Sequence, residues 1–294
     1  MSGNNDMAGS RPDISWPLER PSTTPAPDDT RLEVELRNRA NAAPNLSPGP
    51  EAAAISIPSE DLLPGHKRSQ SGISLRAFLV GQTLAFSLLL AYYARFERNS
   101  RLWRTPLFLS ILSLFHFLEF WTTARYNLPN ANVSAFLLFD NGLAYQIAHG
   151  TAMVEATVTS IWFPEWQARF SPAWLQILGF GFIVVGQVFR SLAMVTAGTN
   201  FNHKVQRKRA VGHQLVTTGV YGVLRHPSYF GFFWWAIGTQ LFIGNAVCLA
   251  AYAVVLWRFF SRRIQGEELY LVGFFGDEYV QYRKRTRVGI PFIQ

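Results

Sequence analysis

The stretch GVYGVLRHPSYFGFFWW, Gly219 to Trp235, sets Arg225 and His226 beside Pro227 at the head of an aromatic run. Proline fixes its own φ and pushes the residue before it out of helical geometry, so a helix is expected to begin at or just after Pro227. The residues beyond Pro227 are apolar enough to enter hydrocarbon, and those before it are polar. The first N–H groups of such a helix have no partner within it, which leaves a favourable place for a small ligand's carboxylate beside His226. Two polar side chains at this lip have an ordinary reading, anchoring at the interface, and a functional one, a cationic ligand held at the membrane surface.

Outward from this junction the composition is that of a membrane protein with a polar front. The 294 residues are 49% apolar, 15% aromatic and only 16% charged, against roughly a quarter charged in soluble domains. Ten of the sixteen prolines precede Gln70, and that segment has too little apolar surface to offset its ordering entropy. Residues 1–72 are read as a disordered tail with a transient helix around RLEVELRNRANAA; nothing in them points to catalysis. No secretory leader is expected, because the first apolar run begins only near Ile73.

Six apolar segments make up most of the remaining chain: Ile73 to Phe96, Thr105 to Tyr126, Val133 to Trp162, Pro172 to Ala197, Tyr229 to Ile243 and Ala246 to Phe260. Backbone groups in lipid must bond internally, so each is expected to be a helix. The expected fold is an all-α integral membrane protein of about six transmembrane helices. The last two, separated by Gly244 and Asn245, form a tight hairpin. Residues 73–197 carry the first four helices; residues 198–294 carry a cytosolic loop, the hairpin and a C-terminal amphipathic helix lying on the bilayer. The net charge of +8 sits in short clusters such as KVQRKR and YRKRTR beside apolar runs, the pattern of cytoplasmic loops rather than of nucleic-acid binding. Arg98, Arg101 and Arg104 run against that orientation. The single cysteine, Cys248, excludes an intrachain disulfide and a multi-cysteine metal site, and it reads as a small buried hydrophobe.

Ionisable groups at membrane depth are costly and so are candidates for function. Arg190 lies about 10 Å inside its segment at 1.5 Å per residue; it either snorkels to the interface or binds an anion. His116 and Glu119 share a helix face and read as a mutually satisfied buried pair, because no second Glu-x-x-His accompanies them. His149 and Glu155 have the same reading. Gly179, Gly181 and Gly186 are expected to permit close helix packing. The connection from Gly198 to Tyr229 is too long for a simple loop and is dense in Asn, Gln, His and Tyr. Arg263 and Glu267 fall on one face if the last helix continues; the ordinary alternative is a surface ion pair worth well under ~1 kcal/mol.

The segments AMVTAGTNFNHKVQ, HQLVTTGVYGVLRHPSYFGFFWWAIGTQ, WRFFSRRIQGEELYLVGFFGDEY and TRVGIPFI together resemble the isoprenylcysteine carboxyl methyltransferases, densely from about Phe180 to Ile293. The resemblance implies methyl transfer from S-adenosylmethionine to the carboxylate of a C-terminal prenylcysteine on prenylated proteins, at the cytosolic face of the endoplasmic reticulum membrane. It implies cofactor contacts at Gln206, His213, Gln214, Leu215, Val216, Tyr221, His226, Pro227, Ser228, Tyr229 and Glu267. It assigns the substrate carboxylate to Arg190 and Arg263, and no metal. The acidic run before Glu268 is reduced here, with Gln265 and Gly266 in its place. An Arg-His-Pro step alone also fits phospholipid N-methyltransferases and sterol reductases, and a non-enzymatic scaffold or transporter is a further alternative. The first would call for a base near an amine, the second for a nicotinamide cofactor.

Overall fold

A computed structural model describes residues 29–42 and 59–294. The chain forms nine α-helices there: α1 (Asp29–Ala42), α2 (Gln70–Tyr92), α3 (Arg104–Tyr126), α4 (Leu143–Trp162), α5 (Pro164–Arg169), α6 (Ala173–Ala197), α7 (Pro227–Ile243), α8 (Ala246–Phe275) and α9 (Asp277–Arg285). Among the described residues no β-strand forms; a single bridge pairs Leu224 with Arg287.

Each of the six apolar segments yields a helix, but their lengths differ from expectation. Among the described residues three helical stretches are long and apolar enough to cross a bilayer: Gln70–Glu97, Arg101–Tyr126 and Ala173–Asn200. The others fall short for local reasons. Helix α7 has 17 residues, about 26 Å. Helix α4 is diluted by Tyr145, Gln146, His149 and Glu155, and α8 brings Arg258, Arg262 and Arg263 into its middle. The third segment also starts late. Asn132 accepts the Ser134 N–H at 2.9 Å and opens a 3-10 turn at Val133–Phe136, which Leu137 ends at φ 57°.

Helices α7 and α8 are joined by Gly244, at φ 77°, and Asn245. The apolar segment ends near Phe260, but the helix does not. Helix α8 runs unbroken for 30 residues through Gly266, about 45 Å, so its second half continues past the apolar half rather than forming a separate helix on the bilayer. Its N-terminus is capped from another helix: Glu155 accepts the N–H groups of Val247 at 2.8 Å and Cys248 at 2.7 Å. A carboxylate at the positive end of a helix is favourable, and it gives Glu155 a role unrelated to His149. His149 instead meets the Tyr252 hydroxyl through Nδ1 at 2.9 Å.

Helix α7 is the centre of the assembly. Its Trp235, Phe232 and Phe233 are buried with Phe108 and Phe115 of α3 and Leu256 and Phe260 of α8. It meets α6 along a glycine seam. A Cβ on Gly186 would stand 2.4 Å from the Trp235 nitrogen, and one on Gly179 would stand 2.6 Å from the Phe242 nitrogen. Gly181 points into open space, so it plays no part in this packing.

Two terminal segments close on this frame. The tail from Thr286 lies along α7 and α8, where the Trp234 and Trp257 indoles donate to the carbonyls of Gly289 (3.2 Å) and Pro291 (2.9 Å). At the other end, within the front expected to be disordered, α1 packs on α8 and α9.

Candidate functional site

The loop between α6 and α7 folds over the second half of α8 and encloses a polar cavity of about 850 Å³, its open mouth included. It is lined by Gln206, His213, Gln214, Leu215, Val216, Tyr221, His226, Pro227, Ser228, Tyr229 and Glu267, all singled out from sequence. The same wall includes Asn200, Asn202 and Arg225, and the aromatic residues Phe274, Phe275, Tyr279 and Tyr282 contributed by α8 and α9. Local geometry explains the enclosure. Gly198 and Gly219 take positive φ, 52° and 57°, to turn the chain at each end. The Asn200 carboxamide accepts the Gln214 N–H at 2.9 Å, and the Asn127 side chain donates to the Phe201 carbonyl at 2.8 Å.

Helix α7 begins at Pro227 with His226 as its cap, as the proline dictates. Its amide groups are less available than expected, because the His226 carbonyl accepts from both Tyr229 (3.1 Å) and Phe230 (3.0 Å). The His226 ring is stacked on Tyr229, 6° from parallel. Its Nε2 lies 3.1 Å from Glu268 Oε1, which also accepts from Arg225 Nε at 2.6 Å. Burial opposes ionisation of Glu268, but hydrogen bonds and charge from His226 and Arg225 outweigh it and hold this carboxyl down at about 2. Burial, reinforced by Arg209, lowers the pKa of His213.

Arg263 and Glu267 are not a simple surface pair. The Tyr229 hydroxyl stands between them, donating to Glu267 Oε2 at 2.7 Å and accepting from Arg263 Nε at 2.9 Å. Arg263 also donates to the His203 carbonyl at 2.7 Å. Both residues line a second, largely apolar space between α4 and α8, of about 1980 Å³ with its open side included. Glu267 therefore belongs to both spaces, and it is where they adjoin.

Arg190 neither snorkels nor lines the polar cavity. It is buried, with Nε and Nη2 donating to Glu119 at 2.7 and 2.9 Å and Nη1 donating to Ser228 Oγ at 2.6 Å. Glu119 is thus the partner of Arg190 and not of His116, whose ring meets the Phe136 carbonyl at 2.8 Å and the Tyr145 hydroxyl at 3.2 Å. His203 lies 3.6 Å from Glu119. Burial holds its imidazole near 4, well below the usual value, so it is neutral at physiological pH. Nothing in the spacing of the sequence joins Glu119 to Arg190, 71 positions away. Glu268 had one signal, its adjacency to Glu267. Among the described residues no cluster of His, Cys, Asp and Glu side chains is arranged for a metal ion.

A helical membrane protein in which a polar-walled cavity and an apolar groove share one carboxylate has the layout of a membrane-embedded group-transfer enzyme. Similarity to known proteins gives the family. The model of the isoprenylcysteine carboxyl methyltransferase family matches residues 177–273, and the chain belongs to this family. A protein-S-isoprenylcysteine O-methyltransferase of Saccharomyces cerevisiae is 42% identical over 224 residues, 75% of this chain and 91% of the relative. One of Homo sapiens is 44% identical over 183 residues, 62% of this chain and 63% of the relative. A solved structure of the eukaryotic intramembrane Ras methyltransferase superposes with a TM-score of 0.68 at 36% identity, covering 76% of this chain and 77% of that one.

Proposed function

We propose that this chain transfers a methyl group from S-adenosylmethionine to the C-terminal carboxylate of a prenylated cysteine. One observation carries the reading: the residues expected to hold the cofactor line one polar cavity, and its Glu267 also borders the apolar groove between α4 and α8. The donor set suits the cofactor. Gln206, Gln214 and Asn202 offer amides, Glu267 a carboxylate for a cationic ligand, and Tyr221 and Phe274 aromatic faces. When bound, S-adenosylmethionine supplies an electrophilic methyl group on a sulfonium centre.

The protein's own contribution is placement. From Cys248 to Glu267 the groove follows α8 for 19 residues, about 28 Å, which suits an extended isoprenoid chain admitted sideways from lipid. Arg263 lines its polar end together with Arg258 and Arg262 and, fixed by Tyr229 and His203, is suited to receive the carboxylate. Arg190, bound to Glu119, instead holds Ser228 on the cavity wall. A C-terminal carboxyl with an ordinary pKa of roughly 3.5 is already ionised, so no general base is required. With both ligands bound, a carboxylate oxygen would take the methyl group from the sulfonium, leaving an ester and a neutral thioether, and no proton would need to move. Anion and cation are both discharged, so a site sheltered from water favours the transition state over the separated charges. The remaining requirement is alignment of oxygen, carbon and sulfur with the reacting atoms about 3–3.5 Å apart.

In this reading the cavity faces the cytosol at the endoplasmic reticulum membrane. Membranes containing the chain are expected to transfer label from methyl-labelled S-adenosylmethionine to a farnesylated cysteine analogue, and not to a phospholipid amine. Folded protein that labels only the amine, or neither, overturns the proposal.

A further inference from the structure

Helix α1 lies outside residues 177–273, the part matched by the family model. A 14-residue polar helix is marginal by itself in water, so its order here is that of a docked segment. It is held by specific contacts. Asn41 donates to Asp277 Oδ2 at 2.8 Å and accepts the Asp277 N–H at 3.3 Å, at the first turn of α9. Arg37 pairs with Asp277, and Leu36 lies over Gly273 of α8. Glu33 takes both Nη1 and Nη2 of Arg283 at 3.1 Å.

Arg283 matters because it is shared. Its Nη1 also faces Glu268 Oε2 at 3.4 Å. The other oxygen of Glu268 holds Arg225 and His226, both on the cavity wall. A chain of contacts thus runs Glu33–Arg283–Glu268–His226. We propose that Glu33 is a positioning residue for the cofactor cavity, acting through Arg283 and Glu268 from a helix supplied by the N-terminal segment.

With Glu33 present, Arg283 divides itself between two carboxylates and leaves Glu268 turned toward His226 and Arg225. Without it, Arg283 turns wholly onto Glu268 and competes for that carboxylate. The charge balance changes in the same direction. Glu33 is an acidic partner of Arg283, and removing it makes the surroundings of a cavity read as taking a cation more positive by one charge. Both effects weaken cofactor binding and leave the groove for the acceptor untouched.

The inference rests on the proposed reaction, and the test separates the two. Full-length enzyme in membranes is compared with Glu33→Gln, Glu33→Asp and, as a control, Glu35→Gln, whose partner Arg39 lies within α1. Glu33→Gln is expected to raise KM for S-adenosylmethionine about two- to fivefold, with kcat and KM for the farnesylated acceptor unchanged. Glu33→Asp should recover part of the loss, and Glu35→Gln should match the parent. Removal of residues 1–43 should give at least the Glu33→Gln effect, reversed by a peptide of residues 29–42. An unchanged cofactor KM in both Glu33→Gln and the truncated chain overturns the inference, as does a fall in kcat alone. Hydrogen exchange supplies a readout that does not depend on turnover: amides of residues 271–285 should lose protection in Glu33→Gln. If the parent transfers no methyl group the reaction assignment fails, whereas unchanged exchange defeats the α1 contact by itself.

Discussion

Replacing Gly186 with alanine tests whether the α6–α7 seam holds the site together. The new Cβ would stand 2.4 Å from the Trp235 nitrogen and 2.5 Å from the Gly231 carbonyl oxygen. Comfortable contact for a carbon begins at about 3.5 Å, so the helices must separate by about 1 Å at this point. Both obstacles are backbone, and neither can swing aside. Overpacking of this kind costs roughly 1–3 kcal/mol, and alanine returns up to ~1 kcal/mol of helix propensity relative to glycine. A net loss of about 1–2 kcal/mol is expected. The displacement also reaches the cavity, because Arg190 lies one turn further along α6 and its Nη1 binds Ser228 Oγ at 2.6 Å. Gly181→Ala is the internal comparison: it meets nothing within 4 Å, so only the propensity gain remains. Thermal unfolding in detergent should show Gly186→Ala melting below the parent and Gly181→Ala at or above it. Methyl-transfer kinetics should add a raised cofactor KM for the first variant only. Equal melting temperatures for the two variants would refute the claim that close backbone contact at Gly186 joins these helices.

Glu119→Gln leaves the buried Arg190 guanidinium without its anion and should destabilise the protein by about 3–5 kcal/mol, read from thermal unfolding. Glu119→Gln combined with Arg190→Met should recover much of that loss, and a double variant no more stable than the single one would contradict the pairing. His203 predicts an acid dependence: its folded pKa is near 4 against an ordinary 6.5, so between these values the unfolded chain binds the proton and the folded chain does not. Its contribution is therefore complete above pH 6.5 and lost as pH falls toward 4. His203→Gln should flatten the dependence of melting temperature on pH across that window, and an unchanged slope would show that His203 does not titrate this way.

Much of the fold was legible because lipid restricts the backbone to helices, so apolar runs translate directly into elements. Pro227 fixed the start of α7, and the polar density of residues 198–229 marked the cavity wall. The end of α8 was not legible. Its polar half differs in composition from its apolar half, yet hydrogen bonding along the backbone continues regardless, and Gly266 weakens a helix without breaking one. Partner choice was also hidden. His116 and Glu119 share a helix face, but Glu119 reaches Arg190 across the bundle and His116 turns to Tyr145. Helical spacing shows which side chains are neighbours on one helix and is silent about the helix opposite.

The amino-acid sequence by itself determined the membrane setting, the helical segments, the junction at Pro227 and the family resemblance, since each arises from local chemistry along the chain. The tertiary structure alone decided that Arg190 is tied to Glu119, that Glu155 caps α8, that Glu267 is common to both cavities, and that α1 reaches Arg283. These depend on which helix faces meet, and that is set by the packing of distant surfaces, above all the glycine seam between α6 and α7.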